Sequence, residues 1–251
     1  MIDIHTHLLP GVDDGSPSRE KSLPVLHEFR QAGVRTVVCT PHLNASRAGA
    51  APFEHHAALL QDLRADAPAG LTLEQGWEIM LDMPGADLSD PRLGLAGSRA
   101  LLVEFQHSNL PPNASAELFR IRMSGRVPVV AHPERYVGCT VENVRDWKRS
   151  GAVIQMDVTA ILGGRRISEL TRRLLAEGLC DIFASDTHVD KRSLGPVRQW
   201  LRDVGSETHA KLLTHTNAAR VLANDEPIEV PPLVTNRGII ARLRELLFRS
   251  K

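Results

Sequence analysis

Cysteine is scarce in this chain, with Cys39, Cys139 and Cys180 the only three. An odd number without CxxC spacing excludes a disulfide framework and a cysteine-based zinc site, and leaves reduced thiols. No run approaches the ~18 consecutive apolar residues of a bilayer span, which excludes membrane insertion. No charged leader with an apolar signal core comes before the patterned segment at Met1, which reads as a cytoplasmic protein. Excess charge of either sign is missing too, because 30 Lys plus Arg balance 30 Asp plus Glu. No global pull toward nucleic acid or anionic lipid follows, so any anion recognition is local. Low complexity is absent, since 42% hydrophobic and 24% charged residues are ordinary globular values.

What the chain does have is 251 residues and eleven histidines. The length suits one large core of the parallel α/β type. Short Val- and Ile-rich runs at 2–8, 35–40, 71–77, 100–105, 127–131, 152–157 and 181–184 predict strands. Helical patterns at 19–31, 53–65, 114–124, 141–150 and 167–177 alternate with them, several stopped by Gly33, Gly125, Gly151 and Gly178. Further helical patterns at 197–204, 207–213 and 217–222 close the outer layer, and 81–98 reads as a long irregular loop on the ligand side. The alternation predicts repeated βα units around a parallel sheet. One domain over 1–224 follows, with 225–251 as a Pro-containing tail leading to a short basic helix near 239–248, a packing arm or an oligomer contact.

In such a sheet the C-terminal strand ends face the ligand. The first strand delivers His5 and His7 there, followed by Asp13 and Asp14; the second His42; the third Glu78; the fourth Glu104; the fifth His132 and Arg135; the last Asp186 and His188. Two residues apart on a strand share a face, so His5 with His7, and Asp186 with His188, can each converge on one ion. Nine candidate ligands, namely His5, His7, Asp14, His42, Glu78, Glu104, His132, Asp186 and His188, exceed what one ion needs and predict a cluster of two or three. Imidazole with carboxylate suits Mn, Fe or Zn. Singly, each residue has a plainer reading: a lone strand-end His as a rim residue, Glu78 or Glu104 paired with Arg47 or Arg135, Asp13 and Asp14 shaping a turn before Gly15. Six strand ends collecting such residues by accident is the less economical account. His27, His55, His56, His209 and His215 fall in helical patterns and read as surface or packing residues, and His107 reads as a substrate contact rather than a ligand.

Met1 to His7 with Leu9-Pro10-Gly11-Val12-Asp13-Asp14-Gly15, Thr40-Pro41-His42, Glu104-Phe105, His132-Pro133-Glu134-Arg135-Tyr136 and Ser185-Asp186-Thr187-His188 resemble the polymerase and histidinol phosphatase (PHP) superfamily. The likeness is to its manganese-dependent bacterial tyrosine phosphatases of the capsule and exopolysaccharide type. The resemblance implies a distorted (β/α)7 TIM-like barrel, three metal ions held by the nine residues above, and hydrolysis of protein phosphotyrosine on the tail of a tyrosine kinase by metal-activated hydroxide. It implies that Arg135 binds the phosphate, with Arg192 the candidate for a second arginine. His42 or His188 is placed to assist the leaving phenolate. The family has Asn directly after the last ligand His, where this chain has Val189.

Three other readings compete. Cys139 and Arg145 satisfy the Cx5R spacing of cysteine-dependent tyrosine phosphatases, but that loop needs glycine to cradle phosphate and none lies between them. A small-molecule phosphoesterase such as a histidinol-phosphatase fits the same donors, and so does a metal-binding regulator without turnover.

Overall fold

The computed structural model describes residues 1–162, 168–204 and 206–233, so the expected helix at 239–248 lies outside the described residues. The strands are β1 (Ile2–Thr6), β2 (Thr36–Cys39), β3 (His42–Asn44), β4 (Thr72–Gln75), β5 (Glu78–Met80), β6 (Ala100–Glu104), β7 (Val127–Val130), β8 (Val153–Asp157) and β9 (Ile182–Ala184). The helices are α1 (Arg19–Gln31), α2 (Phe53–Ala65), α3 (Ala114–Met123), α4 (Val141–Arg149), α5 (Thr159–Leu162), α6 (Glu169–Ala176), α7 (Leu194–Asp203), α8 (Glu207–Lys211) and α9 (Asn217–Leu222). Every strand pairing is parallel, with β1-β2-β4 in one sheet and β3-β5-β6-β7-β8-β9 in the other.

Seven strands were expected and nine are present among the described residues, because the chain resumes a three-residue strand just past each of the expected runs 35–40 and 71–77. The former stops at Pro41, which has no N–H for the ladder, and resumes as β3. The latter breaks at Gly76, where a Cβ would stand 2.7 Å from the Leu95 side chain and 2.9 Å from that of Val38, and resumes as β5. Both resumed pieces join the second sheet, and their first residues are His42 and Glu78.

Adjacent residues along one strand enter two separate apolar clusters. Leu102, Val153 and Ile182 pack with Ile2, Ile4 and Val38, whereas Leu101, Val103, Ile154 and Phe183 pack with the helix residues Phe29, Leu118 and Trp147. Burial of both faces explains the continuous apolar strand runs. Backbone hydrogen bonds also link the first and last strand ends: Asp186 N–H donates to the His5 carbonyl at 2.9 Å and His7 N–H to that of Thr187 at 3.0 Å.

Helices α1 and α2 have the expected bounds, and each of the four stop glycines has positive φ. Helix α7 starts three residues before the expected 197, since Pro196 falls in the first turn where its missing N–H costs nothing. Helix α8 passes through a wide turn at Leu212–Thr216 straight into α9. The loop at 81–98 is irregular apart from short 3-10 turns, yet Leu88, Leu93 and Leu95 pin it to the core.

Residues 225–233 have no regular secondary structure but dock against the fold. Val230 and Leu233 are buried, and Leu233 N–H donates to the Leu175 carbonyl at 2.9 Å. Asn217, fully buried, holds the strap: its amide donates to the carbonyls of Asp181 (3.1 Å) and Ile228 (2.9 Å) and accepts from Ile228 N–H (2.8 Å). Asn217→Ala leaves the buried Asp181 carbonyl and two Ile228 backbone groups without their side-chain partner and is expected to cost about 1–3 kcal/mol in urea unfolding, with faster proteolysis at 225–233. An unchanged midpoint would refute the clamp.

Val189 has φ +65, a left-handed conformation that β-branched side chains avoid. Asn tolerates it, so Val189→Asn is expected to stabilise the fold by about 1 kcal/mol, a rise of roughly 2–4 °C in Tm. A lower melting temperature would show that the half-buried apolar contact of Val189 outweighs its backbone strain.

Candidate metal centre

Glu78, at the start of β5, sits in the middle of the polar cluster. Its Oε1 lies 2.8 Å from His132 Nε2 and 3.3 Å from His5 Nε2, and its Oε2 lies 2.9 Å from His42 Nδ1 and 3.2 Å from His7 Nε2. Asp186 Oδ1 reaches the same two β1 imidazoles, 3.2 Å from His5 and 3.1 Å from His7. Glu104 stands farther back, 3.8 Å from both His42 and His132. Asp14 closes the exposed side, 3.3 Å from His42 Nε2 and 3.4 Å from His188 Nε2. The structure thus brings all nine sequence-derived candidates together. Their donor atoms form overlapping groups, each within 4.8 Å: His5, His7, Glu78 and Asp186; His42, Glu78 and Glu104; His7, Asp14, His42 and His188. A fourth group joins Glu104 and His132 to His107, which the sequence placed outside the ligand set. His107 Nε2 is 3.5 Å from Glu104 Oε2.

Three observations fit these residues to bound cations. First, the imidazoles are oriented from behind. His7 Nδ1–H donates to Asp13 Oδ2 at 2.8 Å, and His5 Nδ1 faces Gln155 Oε1 at 3.1 Å. These partners fix the proton on Nδ1 and turn the Nε2 lone pairs, 3.2 Å apart, into the cluster. Second, two donors at right angles about 2.1 Å from one cation are about 3.0 Å apart, which is the spacing found here. Third, the cluster is short of positive charge. Burial works against a charged His5, yet Glu78 and Asp186 carry it well above its ordinary pKa. Burial and the Glu78 charge push Glu104 up to about 8, the mark of carboxylates crowded without enough cations.

Local backbone supports this placement. His132 and Asp186 both have positive φ, +34 and +46, so each strand end turns sharply as it delivers its ligand. Gly15 passes so close to His7 that a Cβ there would meet the His7 Cβ at 2.3 Å. Asp13 does shape that turn, accepting from Gly15 N–H at 2.9 Å, while also orienting His7.

The arginines flank one side. Arg135 pairs with Asp157 and, at 2.6 Å, with Asp186 Oδ2, rather than with Glu78 or Glu104 as the plainer reading had it. Arg192 reaches Asp186 Oδ2 at 3.2 Å and Asp190 at 2.7 Å. Its Nη2 also lies 2.9 Å from His188 Nδ1, which is 3.0 Å from the Asp186 carbonyl, so the ring satisfies one of the two at a time. Sequence reasoning missed Asp157, although it ends β8 at the same face as the other candidates, and it missed Gln155, two residues earlier on that face.

Other groups fall away from the cluster. His27, His55 and His215 are exposed, His56 stacks on Trp77, and His209 bonds to Ser206 and the Pro231 carbonyl. Burial pushes the Cys139 thiol up to about 12, and Arg145, on helix α4, pairs with Glu142 and Glu177. The Cx5R segment is therefore a helix start with an unreactive thiol, not a phosphate cradle.

Known proteins share this architecture. Tyrosine-protein phosphatase YwqE of Bacillus subtilis (strain 168) is 27% identical over 253 residues, 94% of this chain and 97% of its own. Tyrosine-protein phosphatase CpsB of Streptococcus pneumoniae is 29% identical over 201 residues, covering 75% of this chain and 83% of that protein. Among the crystal structures of YwqE and CpsB, described as metal-dependent tyrosine phosphatases, one superimposes with a TM-score of 0.77 at 28% identity, over 94% of this chain and 100% of that one. The CpsB/CapC profile for capsular polysaccharide synthesis matches residues 1–223, and the chain belongs to that family.

Proposed function

We propose that this chain is a metal-dependent protein-tyrosine phosphatase that cleaves phosphotyrosine in a protein substrate, a bacterial tyrosine kinase tail being the partner the resemblance suggests. The observation that carries the reading is the convergence of His5, His7, His42 and His132 on the one buried carboxylate of Glu78, with Arg135 and Arg192 beside it. The relatives' activity supports it. His5, His7, Glu78 and Asp186 would hold one cation, His42, Glu78, Glu104 and His132 a second, and Asp14 with His188 a third. Manganese is the proposed metal. Bound cations of this kind supply a nucleophilic water at neutral pH and neutralise phosphoryl charge.

The chain's own residues do the rest. Arg135 and Arg192 offer planar forks to the phosphoryl oxygens, with Asp157 and Asp186 fixing their direction. His42 and His188, partly exposed on the open side, are the candidates to hand a proton to the departing phenolate. The barrel of the resemblance is also proposed. It is supported by the apolar cluster shared by β1, β2 and β6 to β9, and by the isolated parallel bridge between Thr6 and Thr187. Among the described residues no helix is long and apolar enough to cross a membrane, which accords with a proposed cytoplasmic site of action.

Chelation is expected to abolish p-nitrophenyl phosphate hydrolysis, with added Mn restoring it; His5→Ala or Asp186→Ala is expected to lower kcat/KM by at least about 100-fold, and Cys139→Ser to change nothing. Activity that survives chelation but falls in Cys139→Ser would overturn the reading. Asp13→Asn, which loses the Oδ2 acceptor behind His7 and its longer bond from the His42 N–H at 3.3 Å, is expected to weaken metal affinity by about 10–100-fold in calorimetric titration. Equal affinities would show that Asp13 serves the turn alone.

A further inference from the structure

A cavity of about 410 Å³ lies where β3, β5 and β6 run out past the metal centre. Strand geometry sets its position. Asn44 and Met80 follow His42 and Glu78 by two residues, so each shares a face with that candidate ligand and stands about 7 Å farther along. The ladder sets Asn44 beside Met80, and Met80 beside Glu104, so the cavity wall begins on the immediate neighbour of a candidate ligand. Leu81 N–H, bonded to the Glu104 carbonyl at 2.8 Å, continues that wall.

Apart from two carboxylates, the lining is uncharged. Met80, Leu81 and Phe105 form an apolar floor. The exposed amides of Asn44, Gln106, Asn109 and Asn113 stand around it. Primary amides donate and accept as peptide groups do, so this rim matches an extended main chain. Among the described residues, no Lys, Arg or His lines the cavity. Both carboxylates that do are engaged, Asp82 by Ser46 and Glu117 by Arg120 and Gly85 N–H. A second phosphate or an acidic side chain would find no counter-charge there, whereas a neutral one loses nothing.

We infer that this cavity binds the peptide next to the phosphotyrosine: an uncharged segment whose apolar side chain rests on Met80, Leu81 and Phe105 while the amides hold its backbone. The inference rests on the phosphatase reading above, and it makes the site selective for protein over small phosphoesters through contacts that leave the reacting phosphate alone.

The test compares phosphopeptides carrying Leu or Glu on either side of the phosphotyrosine with p-nitrophenyl phosphate. The wild-type metal-loaded protein is expected to favour the Leu peptide by about tenfold in kcat/KM, and Met80→Ala to lose that preference through a higher KM, with p-nitrophenyl phosphate within about twofold. Asn109→Lys, at an exposed position, is expected to improve turnover of the Glu peptide, a gain that misfolding cannot imitate. Equal turnover of both peptides, or a parallel loss on p-nitrophenyl phosphate in Met80→Ala, would overturn the inference. Anisotropy of a fluorescein-labelled Leu phosphopeptide gives an independent measure. Tighter binding to wild type than to Met80→Ala without any hydrolysis would sink the phosphatase reading and keep the subsite; equal binding would sink the subsite.

Discussion

The contact of one buried carboxylate, Glu78, with four imidazoles governs the arrangement of the centre. A carboxylate removed from water costs several kcal/mol unless it is compensated. Compensation comes from β1, from β3 and from the turn after β7, so a shift of any one strand leaves an uncovered charge at the middle of the fold. His5, His7 and Arg135 compensate Asp186, but burial and the Glu78 charge leave Glu104 well above its ordinary pKa, so the carboxylates are not all balanced. The network is therefore not a stabilising core in its own right. It is a set of donors whose electrostatic account closes with cations, and the surrounding apolar layers hold it together meanwhile.

Those layers place the donors through interruptions rather than through regular strands. At Pro41 and Gly76 the chain leaves one sheet and re-enters the other, which steps His42 and Glu78 toward β6. At His132 and Asp186 the backbone turns left-handed immediately after a strand. Such conformations cost of order 1–3 kcal/mol each. Gln155 and Asp13 then fix the rings, and Asp157 fixes Arg135. Positions that look like local defects are the ones that aim side chains.

The strand-end rule made most of the site legible in the sequence, because His5, His7, Glu104, His132 and Asp186 all end or directly follow apolar runs. Helices α1 and α2 were legible for a similar reason, having clear amphipathic patterns bounded by turn residues. The three-residue strands β3 and β5 were not, since a proline or a close-packed glycine interrupts the run and three residues carry no period. Gln155 escaped because an amide is not a ligand type, though its role is to orient one. Asp157 was within reach of the same rule and was passed over. The ring of His107 approaches Glu104 from a loop, and no spacing rule reports how a loop folds back.

The strap of residues 225–233 fastens at Asp181, just before β9, and at Leu175 near the end of α6, while Asp186 and His188 sit where β9 has ended. The strap and the mouth of the cleft therefore belong to opposite rims of the sheet. A fluorophore or affinity handle attached at an exposed position within 225–233, such as Glu229, sits on the rim away from the candidate ligands, so the protein can be tethered there with its cleft facing solution.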